Sequence, residues 1–202
     1  VTFYLRGDPA AAWNLLLNAD ETEPSEVYRN WLGTWAESVD ERIEWQTRAL
    51  ARMPHFARAF LYRGNAYRWK QNSAKVLQDY EAALAIHPEY VEAYINRGWF
   101  FRTCGRFEEA IADCTRAISL RPDCGKALTN RAGCHYAVGN LKAALEDCDR
   151  AVSANPGDPN SHYYRSLVRH ARKEWKGALE DAEQAIRLQP DFCEAYIARG
   201  NA

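Results

Sequence analysis

Pro54, Pro88, Pro122, Pro156 and Pro190 stand 34 residues apart, so five of the eight prolines in this 202-residue chain obey one period. Proline lacks a backbone N–H and disfavours helical conformation in the residue before it, so each marks a place where a helix stops. A period of this length signals a supersecondary unit repeated in tandem, each unit burying its apolar face against the next.

With residue 57 as slot 1, the units fall at 57–90, 91–124, 125–158 and 159–192, and 193–202 opens a further one. They align without an insertion. Slot 3 reads Ala59, Ala93, Ala127, Ser161 and Ala195, and slot 8 reads Gly64, Gly98, Ala132, Ser166 and Gly200. Slot 20 is Val76, Ala110, Ala144 and Ala178; slot 27 is Ala83, Ala117, Ala151 and Ala185. Two antiparallel helices joined by a turn near slot 15 bring slots 8 and 20 to similar heights, where small side chains let the backbones approach. Apolar residues at slots 17, 21, 24 and 28, such as Phe107, Ile111, Cys114 and Ile118, recur at the spacing of one buried helix face. Turns are expected at 70–73, 103–106, 138–140 and 172–174.

These positions resemble the tetratricopeptide repeat, whose pattern puts an aromatic at slot 4, small residues at slots 8, 20 and 27, and proline at slot 32. Phe60, Tyr94 and Tyr196 supply the aromatic, whereas Leu128 and His162 depart from it. The resemblance covers 57–202 and implies an all-α fold, a right-handed superhelix of antiparallel helix pairs with no strand. Upstream the register weakens into a degenerate repeat-like pair over 23–56. There 40–54 reads as a second helix with Ile43, Ala49 and Leu50 in place, and 24–37 as a first helix carrying Trp31 and Trp35. Asp8-Pro9 reads as an N-cap followed by proline at the first helical position, opening a capping helix within 1–22. Residues 193–202 read as the first helix of a truncated further repeat. Its Tyr196 and Ile197 would leave an apolar end exposed, inviting association with another copy, and the sequence is expected to be a segment of a larger protein.

Arginine fills slot 7 in every unit (Arg63, Arg97, Arg131, Arg165, Arg199) and aspartate fills slot 23 in every complete one (Asp79, Asp113, Asp147, Asp181). The two slots lie equally far from the turn, so antiparallel helices bring guanidinium and carboxylate to one height. This ladder reads as structural. A row of arginines gripping an acidic ligand would be neutralised by one aspartate each.

In a solenoid of the kind the resemblance implies, first helices line the concave side, and slots 2, 5, 6, 9, 12 and 13 are left free of packing. They supply Arg58, Leu61, Tyr62, Asn65, Arg68 and Trp69, then Glu92, Ile95, Asn96, Trp99, Arg102 and Thr103. The third and fourth units add Lys126, Thr129, Asn130 and Tyr136, then Asn160, Tyr163, Tyr164, Leu167 and His170. Aromatics and arginine dominate interface hot spots, because they bury much area or direct hydrogen bonds at low entropic cost. From this set Arg58, Tyr62, Asn65, Arg68, Trp69, Asn96, Trp99, Arg102, Lys126, Asn130, Tyr163, Tyr164 and His170 are the candidate peptide-binding residues. Asn65, Asn96 and Lys126 match three of the places by which some members of the family hold the C-terminal carboxylate of a chaperone tail. Leu61 and Asn130 stand where that arrangement needs cations, which weighs against it. Asn96 and Asn130 also match repeat domains whose slot-6 asparagines bind the backbone of an extended peptide.

Nothing in the chain suggests catalysis. It has no G-x-S-x-G, H-E-x-x-H, phosphate-loop or dinucleotide fingerprint, and its five histidines fall at unrelated slots. No enzyme activity, cofactor or metal is therefore expected. A net charge of −1 gives no bulk attraction to DNA or to an anionic membrane. No apolar stretch approaches the roughly 20 residues of a spanning helix. The six cysteines form no C-x-x-C pair and read as reduced structural residues, in keeping with a cytoplasmic location. The expected function is a non-catalytic scaffold holding a partner protein or peptide in its groove. The competing readings are single-stranded RNA stacked on groove aromatics and arginines, against which Glu92 weighs, and a regulatory arm for an enzyme outside this chain.

Overall fold

The computed structural model describes residues 38–202. The expected capping helix and the expected helix with Trp31 and Trp35 lie outside the described residues. Those described form ten α-helices and no strand: α1 (Val39–Arg52), α2 (Ala57–Trp69), α3 (Ser73–Ile86), α4 (Val91–Thr103), α5 (Phe107–Leu120), α6 (Gly125–Ala137), α7 (Leu141–Ala154), α8 (Pro159–Ala171), α9 (Trp175–Leu188) and α10 (Cys193–Asn201). The chain divides into two compact units, one ending at Val76 and the other running from Leu77 to Ala202, with the boundary inside α3.

Helix breaks at 70–72, 104–106, 138–140 and 172–174 fall within the expected turn segments. Each break contains one left-handed residue at slot 15: Gln71 at φ 53°, Gly105 at 73°, Gly139 at 79° and Lys173 at 65°. Glycine takes this conformation without cost, and a left-handed residue just past a helix end is how many helices stop. The following N–H turns back to the preceding helix, from Arg106 to the Phe101 carbonyl at 2.9 Å and from Asn140 to that of His135 at 2.8 Å.

In the first unit α1 begins with a capping box in which Ser38 and Glu41 each satisfy the other's backbone N–H. Its Ala49 and Leu50 bury against Ala59 of α2, with Phe56 and Phe60 closing the edges.

In the second unit the helices pair as α4 with α5, α6 with α7 and α8 with α9. Ala110, Ala144 and Ala178 at slot 20, and Ala117, Ala151 and Ala185 at slot 27, are fully buried. The approach they permit is close. A Cβ built on Gly98 would lie 3.1 Å from Cys114 Sγ and 3.3 Å from the Ala110 carbonyl oxygen. Where slot 8 is serine, its hydroxyl uses the same proximity, Ser166 donating to the Ala178 carbonyl at 2.8 Å.

Successive pairs stack through α5 on α6, α7 on α8 and α9 on α10. First helices also pack directly on one another, α4 on α6, α6 on α8 and α8 on α10, whereas α5, α7 and α9 are splayed further apart. The second unit therefore curves with its first helices on the inner side. At slot 4 a tyrosine ties its helix to the proline before it, Tyr94 donating to the Pro88 carbonyl at 3.2 Å and Tyr196 to that of Pro190 at 3.1 Å. His162 breaks the aromatic pattern yet does the same work, its Nε2–H reaching the Pro156 carbonyl at 3.0 Å.

The charged ladder is internal to the scaffold. Arg97 holds Asp113 through two bonds of 2.7 and 2.8 Å, Arg131 holds Asp147 at 2.8 and 2.7 Å, and Arg165 holds Asp181 at 2.9 and 2.7 Å. The aspartates are buried. Bonding to Asp113 and Asp147 raises the pKa of Arg97 and Arg131 above the ordinary arginine value, so their charge is fixed. The same arginines reach back one unit, Arg131 to Thr115 at 3.0 Å and Arg165 to Asp149 at 3.0 Å.

All six cysteines are free thiols, and Cys104 and Cys193 are the exposed ones. Burial pushes the Cys134 thiol up to about 11 and that of Cys148 to about 12, which removes them from thiolate chemistry.

Replacing Asp147 by alanine strips the partly buried Arg131 guanidinium of its partner and should destabilise the fold by about 3 kcal/mol. The double replacement Arg131→Met with Asp147→Leu should cost less than that single change. Urea melts of the three proteins check the order, and a double replacement worse than Asp147→Ala would contradict the pairing.

Candidate functional site

The site residues expected from sequence lie on first helices of both units. On α2 of the first unit, Arg58 and Tyr62 are half-buried, Asn65 and Arg68 have interactions of their own, and Trp69 is 72% exposed. In the second unit α4 carries Asn96, Trp99 and Arg102, α6 carries Lys126 and Asn130, and α8 carries Tyr163, Tyr164 and His170. These three helices lie side by side on the inner face, so the second unit brings its own eight candidates onto one surface.

One slot leaves that surface. Leu61, Ile95 and Thr129 at slot 5 are buried, and Thr129 spends its hydroxyl on Ser161 of the next first helix at 2.8 Å. First helices in direct contact need slot 5 for packing. The surface is left with slots 2, 6, 9, 12 and 13, and Tyr163 is the one slot-5 side chain of the four complete units that stays partly open.

Across the surface runs a contact between helices two units apart. Arg102 of α4 donates from Nη1 to the Tyr164 hydroxyl of α8 at 2.6 Å, with its guanidinium 5.5 Å from the centre of the Tyr164 ring. It passes over α6, where Gly133 has no side chain: a Cβ there would stand 3.0 Å from Tyr164 Cε1 and 3.6 Å from Arg102 Cδ. Tyr164 packs edge-on against Tyr163 with ring centres 5.2 Å apart, and Tyr163 meets Phe192 at 5.1 Å. Burial raises the Tyr163 phenol above its ordinary pKa, keeping it a neutral donor. His170 stands edge-on to Trp175 at 5.0 Å, with its Nδ1 enclosed and unbonded.

Gly133 is not among the candidate residues that the sequence pattern supplies. A glycine inside a helix, at the slot where the neighbouring units carry Trp99 and Leu167, is the available signal, because it marks close approach by another group.

The charges of the surface are unequal in their freedom. Glu92 pairs with Arg121 at 3.2 Å. Lys126 is exposed and unpaired, Asn130 makes no hydrogen bond within the described residues, and Asn96 and Trp99 have interactions of their own. Among the described residues no group of histidine, cysteine and acidic side chains is placed to hold a metal. None of the described helices is long and apolar enough to cross a membrane.

Comparison with known proteins bears on the fold. Tetratricopeptide-repeat profiles match residues 91–124 and 135–191. No curated protein sequence matches the chain. Among solved structures it is similar to YrrB, described as a TPR protein with an unusual peptide-binding site, at 22% identity over 80% of this chain and 84% of that one, with a TM-score of 0.63. It is also similar to PilW, a type IV pilus biogenesis factor, at 20% identity over 81% and 80% of the two chains, TM-score 0.71. The first TPR of Spaghetti (RPAP3), bound to the HSP90 peptide SRMEEVD, aligns at 24% identity over 55% of this chain and 87% of its own, TM-score 0.52. At such identities the likeness is one of fold. With the 34-residue register, the helix pairs and the two profile matches in agreement, the chain is a tetratricopeptide-repeat protein.

Proposed function

We propose that the chain is a non-catalytic scaffold that binds an extended segment of a partner protein along the inner face of its second unit. The observation that carries this reading is the face itself: α4, α6 and α8 present Asn130, Lys126, Arg102, Tyr163 and Tyr164 side by side, while the ladder arginines behind them are saturated by aspartate. An asparagine amide can accept from one backbone N–H and donate to one carbonyl, which suits recognition of an extended main chain with tolerance of sequence. Peptide binding by YrrB and by the RPAP3 repeat supports the class of ligand. The chaperone tail itself fits less well, since Leu61 is buried where a cation is wanted and Asn130 is neutral. Free thiols throughout favour a reducing, cytoplasmic setting.

A second copy of the chain is the other partner in this reading. On α10 Tyr196 is 41% and Ile197 64% exposed.

For a peptide selected by the chain from a random library, changing Asn96 and Asn130 to alanine should weaken binding by roughly 1–3 kcal/mol, the cost of leaving its polar groups unpaired. The melting temperature should move little. Unchanged affinity in calorimetry on a folded double mutant would place the ligand elsewhere. For self-association, light scattering should show the average mass rising with concentration, and Ile197→Glu should abolish the rise; a monomer at all concentrations removes that part of the reading.

A further inference from the structure

Arg102 differs from every other first-helix arginine whose bonds are described in the second unit. Arg97, Arg131, Arg165 and Arg169 each hold a buried aspartate, the last reaching Asp181 at 2.7 Å. Arg102 has no carboxylate in reach among the described residues: Nη1 is spent on Tyr164, Nε is enclosed without a partner, and Nη2 is unbonded. Glu194 of α10 acts on the Tyr163 phenol but forms no ion pair with Arg102. A guanidinium held half-buried without a counter-charge is unfavourable by itself, and an incoming anion would relieve it.

The site is also preformed. Gly133 lets the Tyr164 ring lie on the α6 backbone, and the ring fixes the guanidinium that spans it. Because the Tyr164 oxygen accepts from Arg102, its own hydrogen is free to point outward. Nη2 and the phenol together offer two donors to one anion, and charge-assisted bonds of this kind are the strong ones. At the opposite end of the face, ten slots away, Lys126 is likewise unpaired, and the one slot-2 acid on α4, α6 and α8, Glu92, is neutralised by Arg121. Charge complementarity therefore favours an acidic ligand over a neutral or basic one.

We propose that the Arg102–Tyr164 bridge over Gly133 is a subsite for the carboxylate of an Asp or Glu side chain in an extended peptide. The proposal rests on the peptide-binding reading above and adds a sequence requirement to it. Unlike the chaperone-tail arrangement, it uses slots 12 and 6 of units two apart and a side-chain carboxylate.

The test begins with a phage-displayed library of random dodecapeptides panned against the whole chain, followed by synthesis of the best binder and its acid-to-amide counterpart. Selected peptides should share an acidic residue at one fixed position. By calorimetry the amide should bind wild type about tenfold more weakly, as expected for losing a charged hydrogen bond, and Arg102→Gln by less than about twofold. Tyr164→Phe should fall between them. If Arg102→Gln does not fold, Gly133→Ala, which displaces the ring, must erase the same acid preference. Peptides that bind the face, as judged by loss in the asparagine double mutant, without any acid preference would overturn this proposal and leave the scaffold reading standing. No peptide selected at all would overturn both. Binding of a 12-nucleotide oligo(U) that is lost in Arg102→Gln would assign the site to nucleic acid and overturn the proposal.

Discussion

The second unit depends on how closely the two helices of each pair approach. Alanine at slots 20 and 27 and glycine, alanine or serine at slot 8 leave no room for anything larger, as the 3.3 Å from a Gly98 Cβ to the Ala110 carbonyl shows. Closeness alone does not fix which heights face each other, because small residues slide past one another. The bidentate arginine–aspartate pair does, since a guanidinium fork meets both carboxylate oxygens in one register only. The third bond of Arg131 and Arg165 back to the preceding unit extends that register from pair to pair.

This division of labour decides what the inner face can be. First helices that touch their neighbours consume slots 3 and 5, and the ladder consumes slot 7. Polar and aromatic groups that remain stand at slots 2, 6, 9, 12 and 13, spaced by the repeat rather than by any ligand. A rigid array of that spacing suits a segment that repeats its own main-chain groups, namely an extended peptide. Chemistry specific to this chain enters where the array is broken, at Gly133, which opens the space that Arg102 and Tyr164 close.

In the second unit the helix pairing was legible in the sequence because its slots answer to backbone geometry that recurs every 34 residues. Turn positions, the buried alanines and three rungs of the ladder follow from that. By residue type His162 departs from the pattern at slot 4, yet its ring nitrogen replaces the tyrosine hydroxyl on the proline carbonyl, a chemical equivalence that a residue-type pattern does not contain. Slot 5 reads as groove-lining in sequence because the direct contact between first helices depends on curvature, which one unit's sequence does not specify. The Arg102–Tyr164 contact spans 62 residues and passes over a position with no side chain, so neither local pattern nor repeat spacing could announce it.

The most direct test of the account is an experimental structure of the chain bound to a peptide it selects. The account predicts an extended peptide lying across α4, α6 and α8, with its backbone beside Asn130 and an acidic side chain against Arg102 and Tyr164. A peptide seated on α5, α7 and α9, or confined to the exposed side chains of α10, would contradict it.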